Sequence, residues 1–227
     1  MSFRLSYRAD PGNPWFSWQY VRDNSDTILA AVREHASLTG RAVLIAALIA
    51  LPLAVVAYWY RSLAGPVLAF TGVLYTVPSL ALFAFVAPYL GIGAVTALSV
   101  VVLYALLVIV RNAVAGLTQV PAEVREAAEG MGYGRWGRLF RVELPLALPG
   151  ILTGLRLATV STVALVTVGV VIGRGGLGQL IFAGFQNNFY KAQIMTGTLL
   201  CVLLALVLDL ALAGAGRLLT PWLRRAR

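Results

Sequence analysis

The sequence predicts an all-α integral membrane protein with five transmembrane helices. Hydrophobic residues make up 59% of the chain and charged residues only 12%. The apolar residues are gathered into five runs, each close to the roughly 20 residues that a helix needs to cross a bilayer. Most basic residues flank those runs, as residues that fix membrane topology do. This composition excludes an ordinary water-soluble domain.

The five predicted spans follow from where charges and turn residues interrupt the apolar runs. The first run is closed by an aromatic pair and Arg61. No charge occurs from 62 to 110, which is long enough for two spans, and the Pro and Gly of "APYLGIG" at 87–93 predict a turn between them. The predicted spans are 42–60, 67–88, 92–111, 150–172 and 193–216.

The distribution of arginines predicts an outside N-terminus and an inside C-terminus. Segment 112–149 and the basic tail 217–227 together hold eight of the 17 arginines, whereas the segment between the last two spans holds only Arg174 and Lys191. Residues 1–41 are then an extracytoplasmic segment, and 112–149 is a long cytoplasmic loop. The N-terminus has no continuous apolar stretch typical of a cleavable signal peptide, so the first span is expected to direct targeting.

The N-terminal segment also carries a helical pattern. Apolar residues recur at roughly helical spacing over 17–36, with Asp26 or Ser25 available as N-cap. We expect a helix lying in the outer headgroup layer, with His35 as an interfacial side chain near its end. Since the chain has one histidine and one cysteine, Cys201, the sequence predicts no metal site built from these residues.

The charged segment after the third span begins as a short helix. Pro121 suits the first helical position, and Gly130 and Gly132 are expected to end the helix. Ala127 and Ala128 are small enough to bring the backbone close to another surface. Farther along, Tyr133, Trp136 and Phe140 fall on one helical face and three arginines on another. From spacing alone, this segment either docks in a partner's groove or covers the bundle as a solvated amphipathic loop.

The order of residues in this segment resembles the EAA loop of permease subunits in binding-protein-dependent ABC importers of type I. That pattern is Glu-Ala-Ala, three residues, Gly, nine residues, Ile-x-Leu-Pro. This chain has "EAA" at 126–128, Gly132, and "VELP" at 142–145, with Val142 in the Ile position. In that family the loop forms a coupling helix that docks on the ATPase subunit. The resemblance therefore implies an ATPase-coupling role for six residues: Glu126, Ala127, Ala128, Gly132, Leu144 and Pro145.

Other stretches resemble the osmoprotectant branch of these permeases, which import glycine betaine, choline, carnitine or proline. They include "TVPSLALF" at 76–83, "VRNAVAGL" at 110–117 and "GRGGLG" at 173–178. The resemblance implies a prokaryotic inner membrane, two ATPase subunits, a second permease that is identical or paralogous, and an extracytoplasmic binding protein. A methionine-type importer permease, which shares the EAA loop, is the alternative in the same class. A polytopic membrane enzyme is the alternative in a different class.

Nucleotide chemistry is expected in the partner and not in this chain. A P-loop needs Gly-Lys before Ser or Thr, and the only lysine, Lys191, follows Tyr190. We therefore expect no cofactor here, with ATP and Mg bound by the ATPase subunit. "GRGGLG" has dinucleotide-motif spacing, but the next acid is Asp209, too far for a ribose-binding carboxylate.

The same glycines have another expected role on the outer side. Gly173, Gly175, Gly176 and Gly178 are predicted to form a flexible turn that faces the binding protein. The +9 net charge does not indicate nucleic-acid binding, because the arginines flank membrane spans.

Polar residues inside the spans give two further hypotheses. Candidate residues lining the translocation pathway are Tyr75, Ser79, Thr159 and Thr162, the first two lying near a break at Pro78. Asp209 is the only acid inside a predicted span, and Arg156 lies in the neighbouring predicted span at a similar depth. Since an intramembrane charge needs a partner, we expect an Arg156–Asp209 ion pair that locks the last two helices together.

Overall fold

The protein is described by a computed structural model covering residues 12–224, without the side chains of Leu74, Leu223 and Arg224. The elements are all helical over this range. They are α1 (Trp18–Asp23), α2 (Ser25–Trp59), α3 (Arg61–Thr76), α4 (Ser79–Leu90), α5 (Ala94–Thr118), α6 (Ala122–Gly130), α7 (Arg135–Arg138), a π-helical segment (Leu139–Glu143), α8 (Leu144–Val168), a 3-10 turn (Gly169–Ile172), α9 (Leu177–Gln186), α10 (Lys191–Leu219) and a second 3-10 turn (Pro221–Arg224). Residues 1–11 of the predicted extracytoplasmic segment and residues 225–227 of the predicted basic tail lie outside the described residues.

Four helices in residues 12–224 are long and apolar enough to cross a membrane: α2, α5, the continuous Arg135–Ile172 helix and α10. They correspond to the first, third, fourth and fifth predicted spans, to within two residues at the end of the first span and at the start of the third. The all-α membrane fold is therefore confirmed. Whether the chain crosses the membrane five times stays a prediction.

The second predicted span, 67–88, is not one helix. It is divided between α3 and α4, and Pro78 stands at the start of α4 with φ −58° and ψ 133°. Proline has no N–H to continue the hydrogen-bond ladder, and it disfavours the helical conformation at the residue before it, Val77. The chain therefore breaks where the sequence places Pro78, and only α4 is a short apolar helix.

The predicted interfacial helix over 17–36 is also wrong as a separate element. Only α1 stands apart; from Ser25 the chain runs without a break into the first predicted span as a single 35-residue helix. Its N-cap is Asn24, not Asp26 or Ser25. At 1.5 Å per residue, α2 is about 52 Å long. No proline occurs between Ser25 and the start of the first predicted span, so nothing in this stretch interrupts the backbone hydrogen bonds of the helix.

Small residues set the distances between the central helices. On α2, Ala42, Ala46, Ala50 and Ala54 recur every four residues and are fully buried. Where α5 crosses α8, a Cβ on Gly150 would lie 2.9 Å from the Cα of Gly116. Close backbone approach between small residues is typical of helices that associate within membranes. These close contacts pack α2, α5 and α8 into one core that connects the two ends of the bundle.

The two ends of the bundle carry different elements. At one end, the Asn13 side chain bonds Phe189 and Lys191, and the Tyr20 and Tyr190 rings meet edge to face at 5.4 Å. Burial raises the pKa of Tyr20 to about 12, so its phenol stays neutral at ordinary pH. At the opposite end, α6 and α7 pack below the last turn of α2. We call these the N-terminal end and the coupling end.

Candidate functional site

The predicted loop 112–149 is mostly helical and is centred on α6. Pro121 is the cap of this helix and not its first helical residue. Its fixed φ and missing N–H suit the entry to a helix, and Glu123 lies in the first turn, where a negative charge is favourable. After Gly130 the chain turns at Gly132, whose φ is +82°. That left-handed conformation is one that glycine adopts without steric cost.

The structure separates the six predicted coupling residues into two groups. Glu126, Ala127 and Gly132 are exposed on the outer side of α6 and its turn. Ala128 is buried, with 1% exposure, on the face that packs against α7 and the π-helical segment. Leu144 and Pro145 are partly buried in the first turn of α8. The exposed residues form a surface, and the others support it.

Aromatic and arginine side chains join the coupling segment to the last turn of α2. The rings of Trp59 and Trp136 meet edge to face at 4.6 Å, and the Arg135 guanidinium lies 4.0 Å from the centre of the Trp59 ring. Trp136 also stacks on Phe140 at 5.9 Å. Trp136 and Phe140 are each 61% exposed, so this end presents an apolar surface beside the charged face of α6.

Glu143 is the residue at this end that sequence reasoning missed. Its side chain is fully buried at the end of the π-helical segment. The Tyr58 hydroxyl donates to Oε1 at 3.0 Å, and Arg138 Nε lies 2.9 Å from the same oxygen. Arg138 also pairs with Glu129, and Arg125 Nη1 donates to the Tyr58 hydroxyl at 3.4 Å. We call these five residues the Glu143 network; Glu143 occupies the variable position of "VELP", so the motif itself gave no indication of it.

Arg156 and Asp209 form the ion pair expected between α8 and α10. Arg156 Nε donates to Asp209 Oδ1 at 2.8 Å, and Nη2 donates to Oδ2 at 2.7 Å. Such a bidentate arrangement is the strong geometry for an arginine and a carboxylate. Whether the pair locks the two helices stays a prediction.

Replacing Asp209 with asparagine is expected to lower the thermal midpoint of the detergent-solubilised protein, because Arg156 would remain charged without its partner at membrane depth. The double replacement Arg156→Leu with Asp209→Leu should recover the midpoint, since removing both charges leaves neither unpaired. Fluorescence-detected size exclusion after heating measures both. A wild-type midpoint for Asp209→Asn would remove the locking role.

The four predicted pathway residues do not share one surface. Thr159 and Thr162 are buried within this chain, at 4% and 0% exposure, and the Thr159 hydroxyl donates to the Leu155 carbonyl at 2.7 Å. Neither side chain therefore reaches the surface of this chain in this conformation. Tyr75 is 49% exposed, and Ser79 is partly exposed next to the Pro78 break. A pathway role for these four residues stays a prediction, and only Tyr75 and Ser79 are accessible from the surface of this chain.

The glycine-rich turn at the N-terminal end is packed, so its predicted flexibility is wrong. Gly173 is exposed, but Gly175, Gly176 and Gly178 are buried. A Cβ on Gly176, whose φ is +51°, would lie 2.9 Å from the backbone nitrogen of His35. These three glycines allow close approach of backbones inside the chain, which leaves Gly173 alone of the four on the surface.

His35 lies in this packed region and not at an interface as expected. It is fully buried; its Nε2 donates to the Val163 carbonyl at 3.0 Å, and Nδ1 accepts from the Leu177 backbone N–H at 3.3 Å. The ring therefore joins α2, α8 and the start of α9. A lone histidine in an amphipathic pattern carries no sign of such partners, so sequence reasoning had no means to find them.

Comparisons with known proteins identify relatives of this chain. The family described as "Binding-protein-dependent transport system inner membrane component" matches residues 33–225. The osmoprotectant import permease protein OsmW of Salmonella typhimurium is 39% identical over 207 residues, covering 89% of this chain and 96% of that protein. The choline transport system permease protein OpuBB of Bacillus subtilis is 36% identical, covering 89% of this chain and 93% of that protein.

A solved structure shares the fold. An inward-facing form of the MetNI methionine ABC transporter has a chain that matches with a TM-score of 0.80 at 23% identity, covering 87% of this chain and 98% of that chain. At this identity the likeness concerns the fold alone. Together with the family match over most of the sequence, it confirms the resemblance carried by the EAA loop. The chain belongs to the inner membrane components of binding-protein-dependent transport systems, the permease subunits of ABC importers, and it is a transport subunit and not an enzyme.

Proposed function

We propose that this chain forms the membrane pathway of an ATP-driven importer of osmoprotectants that carry a quaternary ammonium group. The observation that supports this proposal is the function for which its relatives are named: osmoprotectant import, choline transport, and glycine betaine/carnitine/choline transport. Choline, carnitine and glycine betaine share a trimethylammonium group. A methionine substrate is supported only by likeness in fold, so it is the weaker candidate.

The coupling end is proposed to face the cytoplasm and to bind the ATPase subunit. Its support is the exposure of Glu126, Ala127 and Gly132 on one surface, beside a set of arginines that favours the inner side of a membrane. Those arginines are Arg61, Arg125, Arg135, Arg138, Arg141 and Arg217. The N-terminal end, with Gly173 exposed, is then extracytoplasmic and available to a binding protein.

A complete importer is proposed to contain two permeases, two ATPase subunits and one binding protein. The outer side of α10 supports a lateral partner, because large apolar side chains along it are exposed in this single chain, including Leu199, Val202, Leu203, Leu206, Val207 and Leu210. Lipid or a second permease would cover them. Closure of the ATPase pair would move the two copies of α6 together and alternate access between the two sides.

Uptake by the reconstituted complex tests the proposed substrate class. In vesicles holding the permease, its ATPase and its binding protein, we expect uptake of labelled glycine betaine that requires ATP and the binding protein. Choline or carnitine should compete with it, and methionine should not. Vesicles without ATP provide the control. Methionine uptake without uptake of any quaternary ammonium solute would contradict the proposal in favour of the alternative.

A further inference from the structure

The Glu143 network connects parts of the chain that are far apart in sequence. Tyr58 lies in the last turn of α2, Arg125 and Glu129 lie on α6, and Arg138 ends α7. All contact Glu143 directly or through one intervening side chain. The buried carboxylate is thus the common point of the first long helix, the coupling helix and the start of α8.

The environment of Glu143 explains why the network should hold its geometry. A fully buried carboxylate is costly unless it is paired and hydrogen-bonded. Here Oε1 accepts a hydrogen bond from the Tyr58 hydroxyl and lies 2.9 Å from Arg138 Nε, an ion-pair contact without hydrogen-bond geometry. Oε2 is buried without a hydrogen-bond partner in the described residues, so the pairing at Oε1 is what stabilises the charge. Moving Tyr58 or Arg138 away would leave the buried Glu143 carboxylate without one of its two partners. Displacement of α6–α7 relative to α2 therefore carries an energetic cost that a simple apolar contact would not impose.

The backbone around Glu143 is the part of the coupling end whose hydrogen-bond register could change. Residues Leu139–Glu143 form a π-helical segment between α7 and α8. Such segments are rare, occur as single turns inside α-helices, and are frequent at functional sites. If this segment changed its register, motion of α7 would be absorbed before it reached α8. The hydrogen bond that Tyr58 of α2 donates to Glu143 opposes that change of register.

We infer that Glu143 is a positioning residue that makes α6 and α7 move together with α2 and α8. The inference rests on the proposed coupling of α6 to an ATPase subunit and assigns the route by which its motion enters the bundle. Force on the exposed face of α6 passes through Arg138 and Tyr58 to α2, and through Glu143 itself to α8. Loss of the carboxylate uncouples ATP hydrolysis from transport while the exposed docking surface remains.

The first test is Glu143→Gln in the complete reconstituted importer. This change keeps the side-chain shape and removes the charge. We expect the ratio of solute transported to ATP hydrolysed to fall about tenfold, which corresponds to losing a hydrogen-bonded charge, with the ATPase still copurifying. A wild-type ratio in this variant overturns the inference. A purely local structural role would lower the amount of complex and leave the ratio unchanged.

The second test uses Tyr58→Phe, which removes one hydroxyl. It tests the positioning role of Glu143 even if Glu143→Gln does not accumulate. We expect a drop of about threefold in the same ratio. Tyr20→Phe is the matched control, because the Tyr20 hydroxyl is buried at the N-terminal end without a hydrogen-bond partner in the described residues. It should keep the wild-type ratio. Equal ratios for Tyr58→Phe and Tyr20→Phe overturn the inference.

A distance measurement separates this inference from the proposed function. In a Cys201→Ala background, spin labels at Met131→Cys and Tyr60→Cys report the position of the α6 turn relative to the end of α2; both residues are exposed. Glu143→Gln should broaden this distance distribution in the nucleotide-bound complex, and an unchanged distribution overturns the inference. Failure of the wild-type complex to transport would reject the proposed function instead.

Discussion

Replacing Gly178 with alanine is expected to remove most of the folded protein from the membrane. A Cβ at this position would lie 2.6 Å from the Cα of Thr167 and would also strike the Thr167 carbonyl oxygen. Because both atoms belong to the backbone of α8, rotation of a side chain cannot relieve the contact. Overpacking typically costs about 1–3 kcal/mol and occasionally more, and contact with backbone atoms places this site at the upper end. That is a substantial part of a stability that is typically about 5–15 kcal/mol.

The level of monodisperse protein after detergent extraction measures this effect. Gly214→Ala is the matched control, since a Cβ there meets nothing within 4 Å and alanine favours a helix interior. It should accumulate at the wild-type level. Normal amounts of Gly178→Ala with a wild-type melting midpoint would show that the turn between α8 and α9 is not packed as described.

Replacing Gly132 with aspartate is expected to uncouple the importer without preventing insertion. The φ of +82° at Gly132 costs a residue with a side chain about 1–2 kcal/mol, although aspartate tolerates such conformations better than most. That cost reduces the population of the native turn by a factor of roughly 5 to 30. Because the site is exposed and open, the strain should redirect α6 and leave the bundle intact.

ATP-driven uptake in vesicles, compared with the amount of inserted permease, measures the Gly132 effect. Gly134→Asp provides a control with the same added charge two residues away. Its φ is −68°, which any residue adopts, and aspartate is a favourable residue at the N-cap of α7. Uptake should fall for Gly132→Asp and persist for Gly134→Asp. The role assigned to Gly132 is lost if its variant retains both ATPase association and uptake.

The sequence predicted the helical architecture because apolar length is the dominant constraint in a membrane. Helix α5 starts at Ala94 but continues past the predicted end at 111 to Thr118, and α10 extends beyond 193–216 at both ends. Hydropathy detects the segment that crosses the hydrocarbon and not the polar turns that continue a helix. Pro78 is visible in the sequence, but the prediction of one span over 67–88 does not take account of the helix break that it causes. The pair at 150 and 154 also fits a Gly-x-x-x-Gly pattern that could have indicated the α5–α8 crossing.

The features that could not be predicted depend on contacts between distant residues. His35 binds groups 128 and 142 positions away, and Tyr58 meets Glu143 across 85 positions. Neither partner follows from local periodicity. The exposed part of the coupling surface was predictable because Glu126, Ala127 and Gly132 lie within seven positions of one motif, whereas the buried network beneath it was not.

Thiol labelling of Ala127→Cys tests the central claim, that the coupling end faces the cytoplasm and contacts the ATPase. Ala127 is exposed on α6, and Gln186, at the end of α9, is exposed at the N-terminal end. In a Cys201→Ala background, a membrane-impermeant reagent should label Gln186→Cys in intact spheroplasts and Ala127→Cys only in inverted vesicles. Ala127→Cys should also cross-link to the ATPase subunit in the assembled complex. Labelling of Ala127→Cys from outside, or no cross-link to an ATPase that is present, would contradict the account.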